Sequence, residues 1–232
     1  MTDRPILFSA PMIRATLREI EAPGTGKTQT RRVLKPQPSG DVHSYGWSAG
    51  SGATWSDEGA SGRIPYWVGD RLYVREHWRA AYGEDENVPR DIQEGSVVEY
   101  LATDAGELNG RDRRAMHMPR WASRLTLYVT DVRVERLNGI SNQDAIAEGV
   151  LQHIKPNGGL LTNCATGETI GLSVTMFSGA EDMEIHGSPR HAYRDLWSRI
   201  NGPGAWDANP WVVAYTFVPR LGNIDAMPHG PR

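Results

Sequence analysis

The spacing of apolar residues near the N-terminus predicts a helix between two strands. A short strand is predicted over Ile6–Ser9. Pro11 then fits a first helical position, and the apolar residues that follow recur at nearly helical spacing: Ile13, Leu17 and Ile20. Glycines at 24 and 26 end this amphipathic helix. The β-prone stretch Thr28–Leu34 follows and predicts the second strand.

The second half of the chain carries the longest regular patterns. Arg124–Leu137 alternates in a way that predicts a strand partly covered on both faces, and Trp211–Val218 predicts an apolar strand near the end. Shorter strands are predicted over Arg71–Arg75 and Val97–Ala102. A near capping box at Ser141 predicts a short helix over Asn142–Glu148, stopped by Gly149. A better helix opens at Ser188-Pro189 and carries an apolar stripe: Tyr193, Leu196, Trp197 and Ile200.

These elements predict an α+β domain and not a doubly wound sheet, because strands and helices do not alternate regularly. We expect a small mixed β-barrel of about five to six strands with two to three flanking helices. One domain covers residues 1–220, with insertions near 37–62 and 151–187. The stretch Gln37–Gly62 lacks periodicity and is predicted to be a long loop, and 221–232 a loose C-terminal tail.

Composition narrows the class of protein. Of 232 residues, 39% are hydrophobic and 23% charged, which suits a folded globular chain. No apolar run is long enough for a membrane span and no secretory leader is evident, so a cytoplasmic protein without membrane contact is expected. The single cysteine, Cys164, excludes an internal disulfide. Because the seven histidines show no ligand spacing, we predict neither a metal nor another cofactor.

Charge is unevenly distributed around a net value of −3. The N-terminal segment up to Lys35 is basic, and Arg111–Arg124 contains five arginines and one aspartate. By contrast, Gly83–Glu107 holds eight acids and one arginine. A local basic face is therefore predicted on a chain that is acidic overall.

The glycine-rich stretch Pro23–Thr28 is similar to the end of a phosphate-binding P-loop. The full motif requires a glycine at position 21, where this chain has Glu21. The preceding residues also predict a helix and the following ones a strand, which is the reverse of the P-loop order. Nucleotide hydrolysis is therefore not favoured.

Beginning at Gly26, the string Gly-Lys-Thr-Gln-Thr-Arg-Arg resembles the G-x-K-T-x-T-x-R element of the ASCH superfamily. Further motifs are similar to a phage and prophage branch of that superfamily: Pro65–Trp78, His117–Arg124, Ile140–Val150 and Pro210–Val212. The resemblance covers most of the chain outside the two insertions. It implies a PUA-like barrel with a cleft for nucleic acid or a modified nucleoside.

Small bacterial members with this motif are amidohydrolases of N4-acetylcytidine, and their chemistry uses a lysine, a threonine and a glutamate. The resemblance assigns these catalytic roles to Lys27, Thr30 and Glu148. A desolvated lysine can accept the proton of a threonine nucleophile, and a glutamate can move a proton to the leaving amine. Lys27 and Thr30 are an odd number of residues apart, so a turn or a bulge must bring them to one side.

Further residues of these motifs are candidates for substrate binding. Arg32 lies on the same strand face as Thr30 and can hold the substrate or a phosphate, whereas aromatic rings can stack on a base. The candidates are Thr28, Arg32, Tyr66, Trp67, Arg75, Glu76 and Trp78. Each also fits a structural role, the aromatics as core residues and Arg75 with Glu76 as a brace.

Two alternatives to a hydrolase remain open at this point. The same cleft suits a module that binds RNA or modified nucleic acid, and a ribonuclease would use the basic groups on phosphate. The expected partner is a modified nucleoside or RNA in each case. The hydrolase is favoured because the K-T-x-T-x-R string is present, and because the net acidity weakens a purely electrostatic nucleic-acid binder.

Overall fold

A computed structural model describes residues 2–48, 52–104, 106–162, 169–179 and 183–228. These residues form three helices and thirteen strands, an α+β fold as the sequence predicted. The helices are α1 (Ala10–Glu21), α2 (Asn142–Ala147) and α3 (Pro189–Asn201). The strands are β1 (Asp3–Leu7), β2 (Gln29–Val33), β3 (Ser44–Ser48), β4 (Gly52–Ser56), β5 (Ser61–Arg63), β6 (Arg71–Arg75), β7 (Trp78–Ala80), β8 (Val98–Tyr100), β9 (Asp112–Arg113), β10 (Leu125–Arg136), β11 (Leu151–Thr162), β12 (Thr169–Ser178) and β13 (Trp211–Leu221).

The largest sheet has the strand order β1-β6-β10-β13-β2. β1 pairs in parallel with β6 and the other neighbours are antiparallel, so the sheet is mixed. The long strands β10 and β13 form its centre, with a register shift between Val129 and Asp131. No sheet among the described residues closes into a barrel.

The main core lies against this sheet because β10 and β13 bury every second side chain toward α1. Leu125 and Leu127 are fully buried and pack with Ile13 of α1 and Phe217 of β13. Thr126, on the opposite face of β10, is also fully buried. Both faces of β10 are therefore covered over its first residues, and Thr130 and Asp131 are exposed. This agrees with the partial coverage that its pattern predicted.

The predicted loop over Gln37–Gly62 is wrong in part. β3, β4 and β5 form an antiparallel sheet there. Ala53 and Trp55 of β4 point into the main core, and Trp55 is 1% exposed. In the sequence, the alternation of β4 extends over only a few positions, and glycine and serine residues flank it. The pattern is therefore too short to predict a strand.

Short helices and turns follow their local signals closely. The Ser141 hydroxyl accepts from the Asp144 amide at 3.0 Å, so the capping box forms, and Glu148 caps the C-terminus of α2. Gly149 has a φ of +96°, which favours glycine at this stop. α3 spans the stretch that its apolar stripe predicted.

The segment after β13 is attached to the domain as far as residue 228. Asn223 donates from Nδ2 to the carbonyls of Arg120, Trp121 and Ser123 at 2.9–3.0 Å, and Ile224 is fully buried. The expectation of a loose tail therefore does not hold for the described part of this segment. Within the described ranges, no helix combines the length and apolar character needed to cross a membrane.

At Gly26, the backbone of the turn after α1 packs directly against the backbone of the helix. A Cβ at this position would lie 2.3 Å from both the Ala15 carbonyl oxygen and the Glu19 amide nitrogen. These are backbone atoms of α1 and cannot move aside individually. Gly26→Ala should lower the free energy of unfolding by about 1–3 kcal/mol, measured by urea denaturation.

The matched control is Gly40→Ala, because a Cβ at Gly40 would meet nothing within 4 Å. Its effect should stay within about 0.5 kcal/mol. Equal stability of the two variants would contradict close packing at Gly26.

Candidate active site

Between α1 and β2, the backbone hydrogen-bonds first to α1 and then to the end of α2. The Lys27 amide donates to the Ala15 carbonyl at 2.9 Å and the Thr28 amide to the Ala147 carbonyl at 2.8 Å. Lys27 also forms an isolated antiparallel bridge with Glu148. Regular pairing with β13 begins only at Gln29. Because Lys27 lies before the strand, strict alternation does not separate its side chain from that of Thr30.

Lys27 and Glu148 form a buried ion pair at this change of partners. Lys27 Nζ donates to Glu148 Oε2 at 2.7 Å and to the Glu148 carbonyl at 2.9 Å. The two side chains are only 2% and 4% exposed. A pair so far from water is stable only if its remaining hydrogen-bonding capacity is satisfied.

Arg31 supplies the second cation of this cluster. Its Nη1 donates to Glu148 Oε1 at 3.0 Å and to Gln29 Oε1 at 2.6 Å. Its Nε and Nη2 donate to Glu135 Oε1 at 3.1 and 2.7 Å. Arg31 Nη2 also lies 3.5 Å from Asp144 Oδ2, and Arg133 pairs with Glu135 and Asp144. Three cations thus face three carboxylates, so the charges of the cluster balance.

The environment changes the proton affinities of the cluster. Burial lowers the pKa of Lys27 below its ordinary value of 10.5, although Glu148 opposes this effect and Arg32 and Arg31 reinforce it. The pKa of Arg31 is raised, because the charge of Glu148 and other neighbours outweighs the cost of its burial. Burial, and then the adjacent Glu148 carboxylate, raise the pKa of the Tyr193 hydroxyl well above its ordinary value.

A cavity of about 120 Å³ lies beside the cluster, between β2 and α3. It is lined by Met12, Lys27, Thr30, Arg31, Arg32, Val33, Glu148, Tyr193, Leu196, Trp197, Ile200 and Asn201. The structure therefore brings Lys27, Thr30 and Glu148 together. Thr30 is 1% exposed, and its hydroxyl takes part in no hydrogen bond with the described residues.

A larger groove of about 460 Å³ adjoins this cavity. The two share the lining residues Met12, Glu148, Leu196 and Ile200. Arg14, Arg18 and Arg199 also line the groove. A molecule that reaches Thr30 therefore has room to extend along α1 past a rim that carries several cations.

Some of the predicted binding residues lie at or near this cavity. Arg32 lines it and donates from Nη2 to the Leu7 carbonyl at 2.7 Å. Thr28 precedes β2 and does not line the cavity. Tyr66 packs edge-on against Tyr215, the β13 partner of Thr30, and its hydroxyl donates to the Pro5 carbonyl.

The remaining predicted binding residues lie away from the cavity. Trp67 packs against the main core. Glu76 accepts two hydrogen bonds from Arg124 at 2.9 Å, and Trp78 is fully buried in a separate core cluster. Arg75 donates to the Met116 carbonyl at 3.1 Å. Their role in substrate binding stays a prediction that the geometry of this cavity does not support.

Sequence reasoning missed Arg31, Glu135 and Tyr193 as members of the cluster. Arg31 stood inside the recognised string and could have been found there. Tyr193 belongs to the apolar stripe of α3, which the sequence identifies as a buried face without indicating what it covers. Glu135 gave no local signal, because its role depends on the pairing of β10 with β13 and of β13 with β2.

One group of side chains in the described residues has the composition of a metal site. Glu184, His186 and Asp195 offer ligand atoms within 4.8 Å of one another, and His186 Nε2 lies 2.7 Å from Asp195 Oδ2. None of these residues lines the cavity at Thr30. A direct contact between His186 Nε2 and Asp195 Oδ2 accounts for the proximity of these two residues.

Comparison of the chain with protein-family models gives no match. Comparisons with curated proteins and with solved structures give no match either.

Arg31 should be essential to the stability of the buried cluster. Arg31→Met leaves Glu148 and Glu135 without this partner, and we expect a loss of about 3–5 kcal/mol in the free energy of unfolding, measured by urea denaturation. Arg133→Met is the control, because Arg133 is 36% exposed and also pairs with Glu135 and Asp144. It should cost at most about 1 kcal/mol. Similar losses in the two variants would argue against a special role of the buried cluster.

Proposed function

We propose that this chain is an amidohydrolase that removes an acyl group from the exocyclic amine of a modified pyrimidine nucleoside, with N4-acetylcytidine as the first candidate. The observation that carries the proposal is the convergence of Lys27, Thr30 and Glu148 on one small cavity. These are the three residues to which the ASCH resemblance assigned catalysis. Their side chains suffice as nucleophile, base and acid, so the proposed reaction needs no metal.

The reaction begins at the Thr30 hydroxyl, which no described residue engages. Neutral Lys27 accepts the hydroxyl proton while Thr30 Oγ1 attacks the acyl carbon. The 2.7 Å contact between Lys27 Nζ and Glu148 Oε2 lets this proton pass to Glu148, which delivers it to the leaving amine nitrogen as the carbon–nitrogen bond breaks. Water then attacks the threonine ester, its proton returns through Lys27, and the acid leaves as Thr30 regains its hydroxyl.

Two neighbours position the proton path. Arg31 holds the Glu148 carboxylate through Oε1 and leaves Oε2 to Lys27. The raised pKa of Tyr193 keeps its hydroxyl protonated beside Glu148, so it does not add a second anion to the cavity. Residues of α3 then restrict water, since Leu196 and Trp197 form the apolar wall.

The proposal includes a PUA-like arrangement of the main sheet. β1 and β2 are its two edge strands, and the Arg32 guanidinium on β2 donates to the Leu7 carbonyl on β1. A side chain that spans the two edges supports a strongly curved sheet of the kind that a barrel requires.

A second candidate is a module that binds the modified nucleoside without hydrolysing it. One observation favours it: Lys27 Nζ already donates both to the Glu148 carboxylate and to the Glu148 carbonyl. A lysine held in this way stabilises the turn even if it never accepts a proton. Turnover distinguishes the two functions.

Thr30→Val tests the nucleophile with little effect on folding, because the hydroxyl forms no hydrogen bond with the described residues. Wild-type protein should convert N4-acetylcytidine to cytidine and acetate, measured by chromatography. Thr30→Val should lower kcat by at least about 10³-fold, whereas Thr30→Ser retains a nucleophilic hydroxyl and measurable turnover.

Binding of N4-acetylcytidine by the wild type without turnover would support the second candidate. Equal turnover by wild type and Thr30→Val would remove Thr30 from the mechanism.

The pH dependence of kcat tests Lys27 as the base. Its neutral form is the active one, so kcat should rise with pH as Lys27 loses its proton. Because burial lowers the pKa of Lys27, the midpoint should fall below 10.5, the ordinary lysine value. A kcat profile from about pH 6 to about pH 10 measures this midpoint. A rate that falls as pH rises over that range would contradict the assignment.

A further inference from the structure

A second concave surface of about 820 Å³ lies outside the proposed active site, beside the small sheet of β7, β8 and β9. Five arginines line it, and we call it the arginine groove: Arg75, Arg90, Arg111, Arg113 and Arg114. Three of these belong to or adjoin β9, within the basic stretch Arg111–Arg124. The proposed hydrolysis uses none of them.

Carboxylates neutralise only part of the positive charge of this groove, since Asp85 and Glu84 act on Arg113 from just outside its lining. Asp112 is the acidic residue among its lining residues, and it already accepts from Arg79 at 2.6 and 2.9 Å. Arg111 and Arg114 are exposed and form no ion pair with the described residues, whereas Arg90 has an exposed contact with Asp91 at 3.6 Å. An anion that binds here therefore does not have to displace a buried carboxylate.

Two of the arginines are held rigidly by backbone carbonyls. Arg113 is 6% exposed, lies over the Trp78 ring, and donates to the Glu84 and Asn87 carbonyls at 2.6 and 3.1 Å. Arg75 donates to the Met116 carbonyl at 3.1 Å. Carbonyl partners fix the guanidinium planes without cancelling their charge, and a fixed guanidinium binds phosphate oxygens at a low entropic cost.

The walls and floor of the groove also contain apolar side chains. Val88 and Met116 are 45% and 54% exposed, and Met118 lies beneath them. Alternating cationic and apolar groups suit a ligand that has both phosphates and flat bases or sugars. A polymer that carries charge alone, such as polyglutamate, would satisfy the arginines and leave these apolar side chains uncovered.

The groove and the proposed active site are separate, and β1 lies between them. Leu7 pairs with Arg75 in the parallel ladder, and its carbonyl accepts from Arg32, which lines the cavity. Neighbouring strands are about 4.8 Å apart, so Arg75 lies one strand spacing beyond the strand that Arg32 contacts.

We propose that the arginine groove binds the phosphodiester backbone of a single-stranded nucleic acid. This site is additional to the amidohydrolase cavity and does not depend on it. One extended nucleic-acid backbone lies in the concave surface between residues 88–90 and 116–119. Its phosphates contact the exposed guanidiniums of Arg111 and Arg114. Such binding is electrostatic and weakens as salt increases.

Fluorescence anisotropy of a labelled single-stranded oligoribonucleotide with unmodified bases tests this site. The full chain should bind the RNA at low salt. The double variant Arg111→Ala with Arg114→Ala should bind at least about tenfold more weakly, and its plot of log affinity against log salt should be shallower by roughly 0.7 for each phosphate contact removed. Both side chains are exposed and without ion pairs, so folding should persist, which circular dichroism verifies.

Arg63→Ala, an exposed arginine of β5 outside the groove, is the control and should change the affinity less than twofold. The proposal is overturned if the wild type does not bind, or if the double variant binds as tightly as the control. Tighter binding of a duplex of the same sequence would refute the single-stranded specificity. If polyglutamate displaced the RNA as well as unlabelled RNA does, the groove would be a general polyanion surface and the proposal would also be overturned. Because the RNA carries no acyl group, failure of the hydrolase leaves this result unaffected.

Discussion

The contact between Lys27 and Glu148 is the interaction on which the site depends. It joins the turn after α1 to the end of α2, and through Arg31 it extends to β2 and β10. Two ions can remain this deeply buried because each has further hydrogen bonds and because the cluster contains as many carboxylates as cations. The positions of the turn, the helix and the edge strand are thereby coupled to one pair of charges.

The same arrangement explains why a cavity exists where it does. β2 is the last strand of the main sheet, so no further strand covers its outer side. α3 approaches this side with Tyr193, Leu196 and Trp197, and a small cavity remains between them beside Thr30. The ion pair and an unengaged hydroxyl therefore meet in a place that is largely shielded from water, where a lysine with a lowered pKa can act as a base.

Charge is distributed over two surfaces with different chemistry. In the cavity, cations are paired with carboxylates inside the protein, which favours proton transfer over attraction of a polyanion. In the arginine groove, guanidiniums are held by backbone carbonyls or point into solvent, so their charge is available to a ligand. The net charge of the whole chain, −3, does not reveal this difference. The two surfaces differ because of where the arginines and their partners lie in the fold.

The sequence by itself determined the elements whose signals are local. The apolar stripe of α3, the capping box at Ser141, the glycine stop at 149 and the alternation of β10 each depend on neighbours within a few residues, and the K-T-x-T-x-R string identified Lys27 and Thr30 as candidates.

The tertiary structure decided which of these residues meet. Glu135 reaches Arg31 only because β10, β13 and β2 pair side by side, Tyr193 joins the cluster because α3 folds over an edge strand, and Trp78 is a core residue because a separate sheet encloses it. Such contacts arise between positions far apart in the chain, for which short-range patterns contain no information.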